Sequence, residues 1–311
     1  MTLKQLRYLI AIAEAGSFSA AARHAYIAQP ALSRQIGMLE EELEMRLLER
    51  QHDGVRLTDA GRRLYEVARA VVQRVDSVKD ELLSTKGDPK GQVSIAIPVA
   101  ASAILLPTII TQARDKFPGI ELHVRDGLST EGGAAIELGK VDFGVVPNAE
   151  ELEHVRAEPV LVEELCWFGH IGAQANGRNI TFAEAAATPL VMGPRHLHLR
   201  RRVEQVAMEQ GITLNILYEQ NSAQGISSLV RSGLAATISS WPALDEQFRS
   251  QARPIVEPSI RRTVSIAYSA HRPLSFAASC MRDLVRDILL DLARSGGWHA
   301  VPVERNDTEG D

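Results

Sequence analysis

Gln29, Ser33 and Arg34 lie within one stretch, Ala28 to Leu43, whose apolar residues Leu32, Ile36, Leu39 and Leu43 recur at helical spacing. Gln and Arg read base edges through paired hydrogen bonds, and Ser and Arg also reach phosphates. At about 100° per residue, Pro30, Arg34, Gly37 and Glu41 point away from the apolar stripe, with Gln29 and Ser33 beside them at the N-terminal end. That face is polar, slim at Gly37, and suited to a DNA groove. A small amphipathic surface helix is the alternative, and the neighbouring elements must decide.

A second set of candidates stands where strand-like runs give way to helical ones. Ser102 ends PVAAS, Ser129 and Thr130 end RDGLST, Pro194, Arg195 and His196 follow PLVMG, and Ser222 lies in QNSAQG. Free backbone N–H groups and the helix dipole gather at such junctions and favour a small ligand. A plain helix cap is the competing role for each Ser, and the two roles can coexist. Arg195, His196 and His198 bring cationic groups to one junction, which suits an anionic effector such as a small carboxylate. A His-x-His pair without a third ligand nearby is not a metal site, so neither metal nor cofactor is expected.

The elements that hold these residues follow from the same patterns. Leu3 to Ala15 places Leu3, Leu6, Ile10 and Ala13 on one helical face closed by Gly16, and Ser19 can cap a short Ala-rich helix running to about Ala25. A tight join at Tyr26 to Ala28 then makes a helix-turn-helix whose last helix would enter the major groove. LLERQHDGVRLT places a turn at Asp53-Gly54, the signature of a hairpin, with Arg50 and Arg56 able to bracket a phosphate. From the N-cap Thr58 a helix runs to about Leu83, with Leu64, Val67, Val71, Val75, Val78 and Leu82 in a heptad stripe that fits a coiled coil. Residues 84 to 91, STKGDPKG, read as a polar hinge. Beyond it VSIAIP, IELHVR and DFGVV alternate with helical segments, a βαβαβ order that implies a parallel sheet. Alternation continues through ELCWFGH, PLVMG, LNILYEQ and AATISS to RRTVSIAYSA and a last helix, about Ser275 to Ala293.

At LKQLRYLIAIAEAGSFSAAARHAYIAQPALSRQIGMLEEELEMRLLER, followed by RLTDAG, the chain resembles the N-terminal domain of LysR-type transcriptional regulators. One departure is Ala28, where the family often has Ser, so position 28 is not counted as a DNA contact. The resemblance implies a multidomain chain, with an all-α winged helix-turn-helix domain over 1–58 and a linker and dimerisation helix with hinge over 59–90. Two α/β subdomains of the periplasmic-binding-protein type would follow over 91–303, subdomain I about 91–162 and 268–303, subdomain II about 163–267. It also implies that Ser102 and Ser129 line an effector cleft faced by Pro194 to His196. Its implied partners are double-stranded DNA at an interrupted dyad in a promoter, a small-molecule effector, further copies in a dimer and a tetramer, and RNA polymerase. YIAQPALSRQI further resembles the nitrogen assimilation control branch.

Composition agrees with a folded multidomain protein: 311 residues, 45% of them hydrophobic. No apolar run approaches bilayer length, and MTLKQLRYLIAIAEAG is amphipathic with Glu14 inside it, so a cytoplasmic protein without membrane contact is expected. The formal net charge of −5 argues against non-specific nucleic-acid coating, whereas Met1 to Gly37 carries Lys4, Arg7, Arg23 and Arg34 against Glu14 alone. Cys166 and Cys280 are isolated and read as reduced core thiols, a redox switch being the minor reading. Hydrolase, zincin, Walker and dinucleotide signatures are missing from the strand-to-helix junctions, so no enzyme is expected. A solute-binding protein is the alternative; the helix-turn-helix and the lack of a signal peptide oppose it. Residues 304 to 311 are expected to form a disordered acidic tail.

Overall fold

Thr2 opens helix α1 (Leu3–Ala15) with a capping box, its Oγ1 accepting from Gln5 N while the Gln5 side chain accepts from Thr2 N, and Gly16 closes it at φ 65°. Helix α2 (Phe18–His24) is capped by Ser17, which accepts from Ala20 N at 3.2 Å; the expected cap, Ser19, instead donates to Gln29 Oε1 at 2.9 Å. Helix α3 (Gln29–Leu43) begins after Ala28 with no side-chain cap and carries Pro30 in its first turn. The buried face of α1 is Leu6, Leu9 and Ile12, rotated from the expected Leu6, Ile10 and Ala13 because α1 packs at once against α2, α3 and the long helix α4 (Asp59–Leu83).

Strands β1 (Leu48–Gln51) and β2 (Gly54–Leu57) pair antiparallel with Gln51 opposite Gly54, as the hairpin reading requires. Val55 N donates to the Gly16 carbonyl at 2.8 Å, and a Cβ on Gly54 would stand 2.6 Å from that oxygen, so glycine is needed where the hairpin docks on the end of α1. Thr58 Oγ1 caps α4 by accepting from Gly61 N at 2.9 Å. At Gly61 a Cβ would fall 2.0 Å from the Leu47 carbonyl, which is how α4 lies directly on the loop leading into β1.

The computed structural model describes residues 1–51, 54–83, 88–127, 129–169, 179–243, 249 and 251–304, in two units, Met1–Gly87 and Asp88–Asp311. Half of the expected hinge, 84–87, and tail residues 305–311 lie outside the described residues, as does Asp53. In the second unit β3 (Gly91–Pro98), β4 (Ile120–Gly127) and β5 (Phe143–Pro147) run parallel, connected by α5 (Val99–Lys116) and α6 (Ser129–Glu137). They belong to a mixed sheet of order β14-β6-β13-β5-β3-β4, in which β13 (Arg261–Ser269) is antiparallel to β5 and to β6 (Val155–Glu164), and β14 (Ala300–Pro302) is antiparallel to β6. Helix α10 (Phe276–Arg294) and α5 cover this sheet over Leu105, Ile109, Phe143, Ile266 and Leu289.

A second sheet has the order β11-β7-β12-β8, formed by β7 (Cys166–Phe168), β8 (Ile180–Thr181), β11 (Thr237–Ser239) and β12 (Arg253–Val256). The parallel pair β9 (Leu190–Met192) and β10 (Ile216–Glu219) extends it through a bridge from Leu190 to Ala236. Helices α7 (Phe182–Ala187), α8 (His198–Glu209) and α9 (Ala223–Arg231) complete this half. The chain leaves the first sheet at Leu165 and re-enters it after Ile260, where Leu165 N donates to the Ile260 carbonyl at 2.8 Å. The return placed near 267 therefore moves to 257–260, because β13 pairs with β6 along its whole length from Arg261.

Candidate nucleic-acid face and ligand cavity

Leu32, Ile36 and Leu39 are fully buried, and this turns Gln29, Pro30 and Arg34 to solvent on the first two turns of α3, with Ser33 half-buried beside them. The Ser19 bond to Gln29 ties the end of the presented face to α2. The start of α3 has no side-chain cap; Pro30 lacks an N–H and Ala31 N donates to the Ala28 carbonyl at 3.0 Å, which leaves the Gln29 N–H toward an acceptor such as a phosphate. Arg56 is exposed on β2 across from Glu49, and Arg50 stands across from Val55; nothing of the Arg50 side chain is described.

Glu40 escaped the reading from sequence. It is only 9% exposed, and its Oε1 accepts from Leu47 N at 2.7 Å and Leu48 N at 3.1 Å while Oε2 takes Arg46 Nη1 at 3.0 Å. The carboxylate thus fastens the loop that leads into the hairpin to α3. The available signal was its spacing: Glu40 is four residues beyond Ile36, on the buried stripe, where an acid needs partners.

In the second unit a cavity of about 130 Å³ lies among residues from both sheets. Val99 and Ala100 at the start of α5, Thr130 in α6, His198 to Arg200 at the start of α8 and Ala223 at the start of α9 reach its wall, so four helix N-termini converge there. Ser222 caps α9 by accepting from Gly225 N at 3.3 Å, whereas Pro98 and Leu197, the residues before α5 and α8, make no side-chain cap bond.

The junction residues expected from sequence divide accordingly. Thr130 lines the cavity. Ser102 is buried outside the lining and donates to the Pro98 carbonyl at 3.3 Å, Ser222 is an exposed cap, and Ser129 begins α6 with no side-chain detail described. Pro194, Arg195 and His196 are also outside the lining, because the turn closed by Leu197 N to the Pro194 carbonyl, 3.0 Å, precedes α8; Arg195 is largely exposed and pairs with Glu204 at 3.3 Å. Gly193 and Leu197 to Arg200 take their place.

The basic side chains on the wall are His198, Arg200 and Arg262. Arg200 is spent internally: Nε and Nη2 reach Glu204 Oε1 at 2.9 and 2.8 Å, and Nη1 donates to the Gly193 carbonyl at 3.2 Å. His198 Nδ1 lies 2.8 Å from both Glu151 Oε2 and Arg201 Nη2, joining the α8 start to the first sheet. The sequence pattern marks Arg262 only as part of the strand-like run RRTVSIAYSA.

Among the described residues no group of three His, Cys, Asp or Glu is placed to hold a metal. The thiols are poor nucleophiles. Burial, then the negative charge of Glu163 and Glu164, pushes Cys166 up to about 12, and burial foremost also raises Cys280.

Residues 3–62 match the bacterial regulatory helix-turn-helix protein, lysR family, and residues 86–289 match the LysR substrate binding domain. The chain belongs to the LysR family: it is a DNA-binding transcriptional regulator with an effector-binding domain, and not an enzyme. It is 28% identical to the nitrogen assimilation regulatory protein nac of Klebsiella aerogenes over 297 residues, covering 94% of this chain and 95% of that protein. Full-length OxyR from Pseudomonas aeruginosa has the same fold, with a TM-score of 0.73 at 23% identity over 93% of this chain and 94% of that one. The CbnR structure complexed with its target DNA superposes at a TM-score of 0.64 and 23% identity, covering 93% of this chain and all of that one.

Proposed function

We propose that this regulator reads a promoter dyad in the cytoplasm through Gln29, Pro30, Ser33 and Arg34, with Arg50 and Arg56 at phosphates, and that a small molecule in the cavity of the second unit alters its action on RNA polymerase. The cavity carries this reading: it draws its wall from both halves of the second unit, Thr130 and Ala100 from helices of one, His198 and Ala223 from helices of the other. A ligand touching both halves favours one arrangement of them, by its differential affinity alone, typically about 1–3 kcal/mol.

Dimerisation through α4 is part of the proposal. Val67, Val71, Val75 and Val78 are 57, 41, 44 and 39% exposed along one heptad stripe, which a second copy would cover, and two such dimers would make the tetramer. Control of nitrogen assimilation, as in the nac relative, is the branch we infer from the YIAQPALSRQI stretch. The test is footprinting of the protein's own promoter region with and without a metabolite panel. A metabolite should change the footprint of the native protein and leave that of Ala100→Phe, whose ring would fill the cavity, unchanged. A footprint change surviving in Ala100→Phe would place the effector elsewhere.

A further inference from the structure

Arg262 opens β13 with a side chain only 8% exposed, donates Nε to the wholly buried Glu163, and lines the cavity. The second Glu163 oxygen accepts from Trp298 Nε1 at 2.7 Å. Nη1 and Nη2 of Arg262 have no hydrogen-bond partner among the described residues, unlike those of Arg200. A guanidinium keeps its charge in a protein and carries five N–H donors in a fixed fork, so the two terminal nitrogens offer four N–H groups to an acceptor in the cavity.

Two further features of the wall favour an anion. Helices α5 and α8 both present first residues to the cavity without a side-chain cap, leaving N–H groups and the positive ends of two dipoles there. The described lining includes no carboxylate: Glu163 and Glu204 stand behind the arginines they hold, and Glu151 behind His198. The remaining wall is largely apolar, with Leu197, Ile226 and Ile238. Its size, about 130 Å³, is close to that of cavities of about 150 Å³ known to take benzene.

We infer that the effector is a small carboxylic acid, its carboxylate held by Nη1 and Nη2 of Arg262 and its compact apolar body lying against Leu197, Ile226 and Ile238. This rests on the cavity being the effector site. Because Glu163 and Arg262 each stand two residues from the crossings at Leu165 and Ile260, the carboxylate bears directly on the strands that join the two halves. Specificity for an acid over its uncharged isostere follows, since an amide offers the fork one neutral oxygen in place of two sharing a charge.

The test uses the full-length protein, read by thermal shift and by tryptophan fluorescence, with butyrate, hexanoate and benzoate each compared with its amide. At least one acid should bind, with its amide about ten- to 100-fold weaker, the range expected for a charge-assisted contact. Arg262→Gln should weaken the acid by a similar factor and leave the amide unchanged. The Glu163→Gln/Arg262→Gln pair does the same without leaving a lone buried carboxylate, and the wild-type acid and amide comparison decides even if neither variant folds. Trp298→Phe should keep the thermal shift and lose most of the fluorescence response. Equal binding of acid and amide, or no binding of the three acids at about 10 mM, overturns the inference. If Ala100→Phe abolishes acid binding while Arg262→Gln does not, the cavity stands and Arg262 is not the anchor; if Ala100→Phe leaves binding intact, the cavity itself is the wrong site.

Discussion

Replacing Glu40 with Ala removes the acceptor of two backbone N–H groups at the base of the hairpin. Leu47 is 1% exposed, so its orphaned N–H would stay out of water at a cost of about 1–3 kcal/mol. Leu48 is half-buried and its lost bond adds about 0.5–1.5 kcal/mol. Arg46 is 83% exposed, so its ion pair contributes at most about 1 kcal/mol. The local cost is then about 1.5–5.5 kcal/mol, or roughly a 10- to 10,000-fold increase in the opening of this segment. Hydrogen exchange at the Leu47 and Leu48 amides measures it directly. Glu40→Gln retains an oxygen for both donors and should recover about half the protection, since the lost part is the charge-assisted share. DNA binding should weaken alike on cognate and random sequence, because a loosened hairpin would lose the phosphate contacts proposed for Arg50 and Arg56 while the face of α3 proposed to read bases is untouched. Native-like protection of both amides in Glu40→Ala, or a loss confined to cognate DNA, would refute the assignment of Glu40 to the hairpin.

Three other outcomes follow from the same structure. Arg34→Ala should cost about 1–3 kcal/mol on the cognate site and flatten discrimination at one base pair, leaving random DNA nearly unchanged in a titration at fixed salt. Val75→Glu, in the middle of the exposed valine stripe, should place like charges across the two-fold axis and shift sedimentation at low concentration toward monomer; an unchanged oligomer moves the interface off α4. Cys166, with its thiol pushed up to about 12, has only about one thiolate in ten thousand at pH 8 and should resist alkylation until the protein unfolds, so rapid native labelling there would contradict its burial.

Local pattern was enough for the order of elements in the first unit, though not for the buried face of α1 or the cap of α2, and for the parallel part of the first sheet. Leu32, Ile36 and Leu39 declare both the helix and its buried face, Gly54 and Thr58 mark the hairpin and the next cap, and the runs VSIAIP and FGVV are apolar because their strands are covered. Strand β6 was not legible. VRAEPVLVEE breaks its alternation with charges and Pro159, and the proline is tolerated because the pairing with β13 shifts register beside it, between Val264 and Ser265. That pairing joins residues about a hundred positions apart. The same non-local step decides the cavity. Arg195 carries the right charge at the right kind of junction, yet the turn before α8 leaves it outside the cavity with Glu204 as its partner, while Arg262, one basic residue in the run RRTVSIAYSA, faces the cavity only because β13 lies against β6 and Glu163. Charge and periodicity are properties of neighbours along the chain; which cation is buried beside an empty space depends on which distant strands pair.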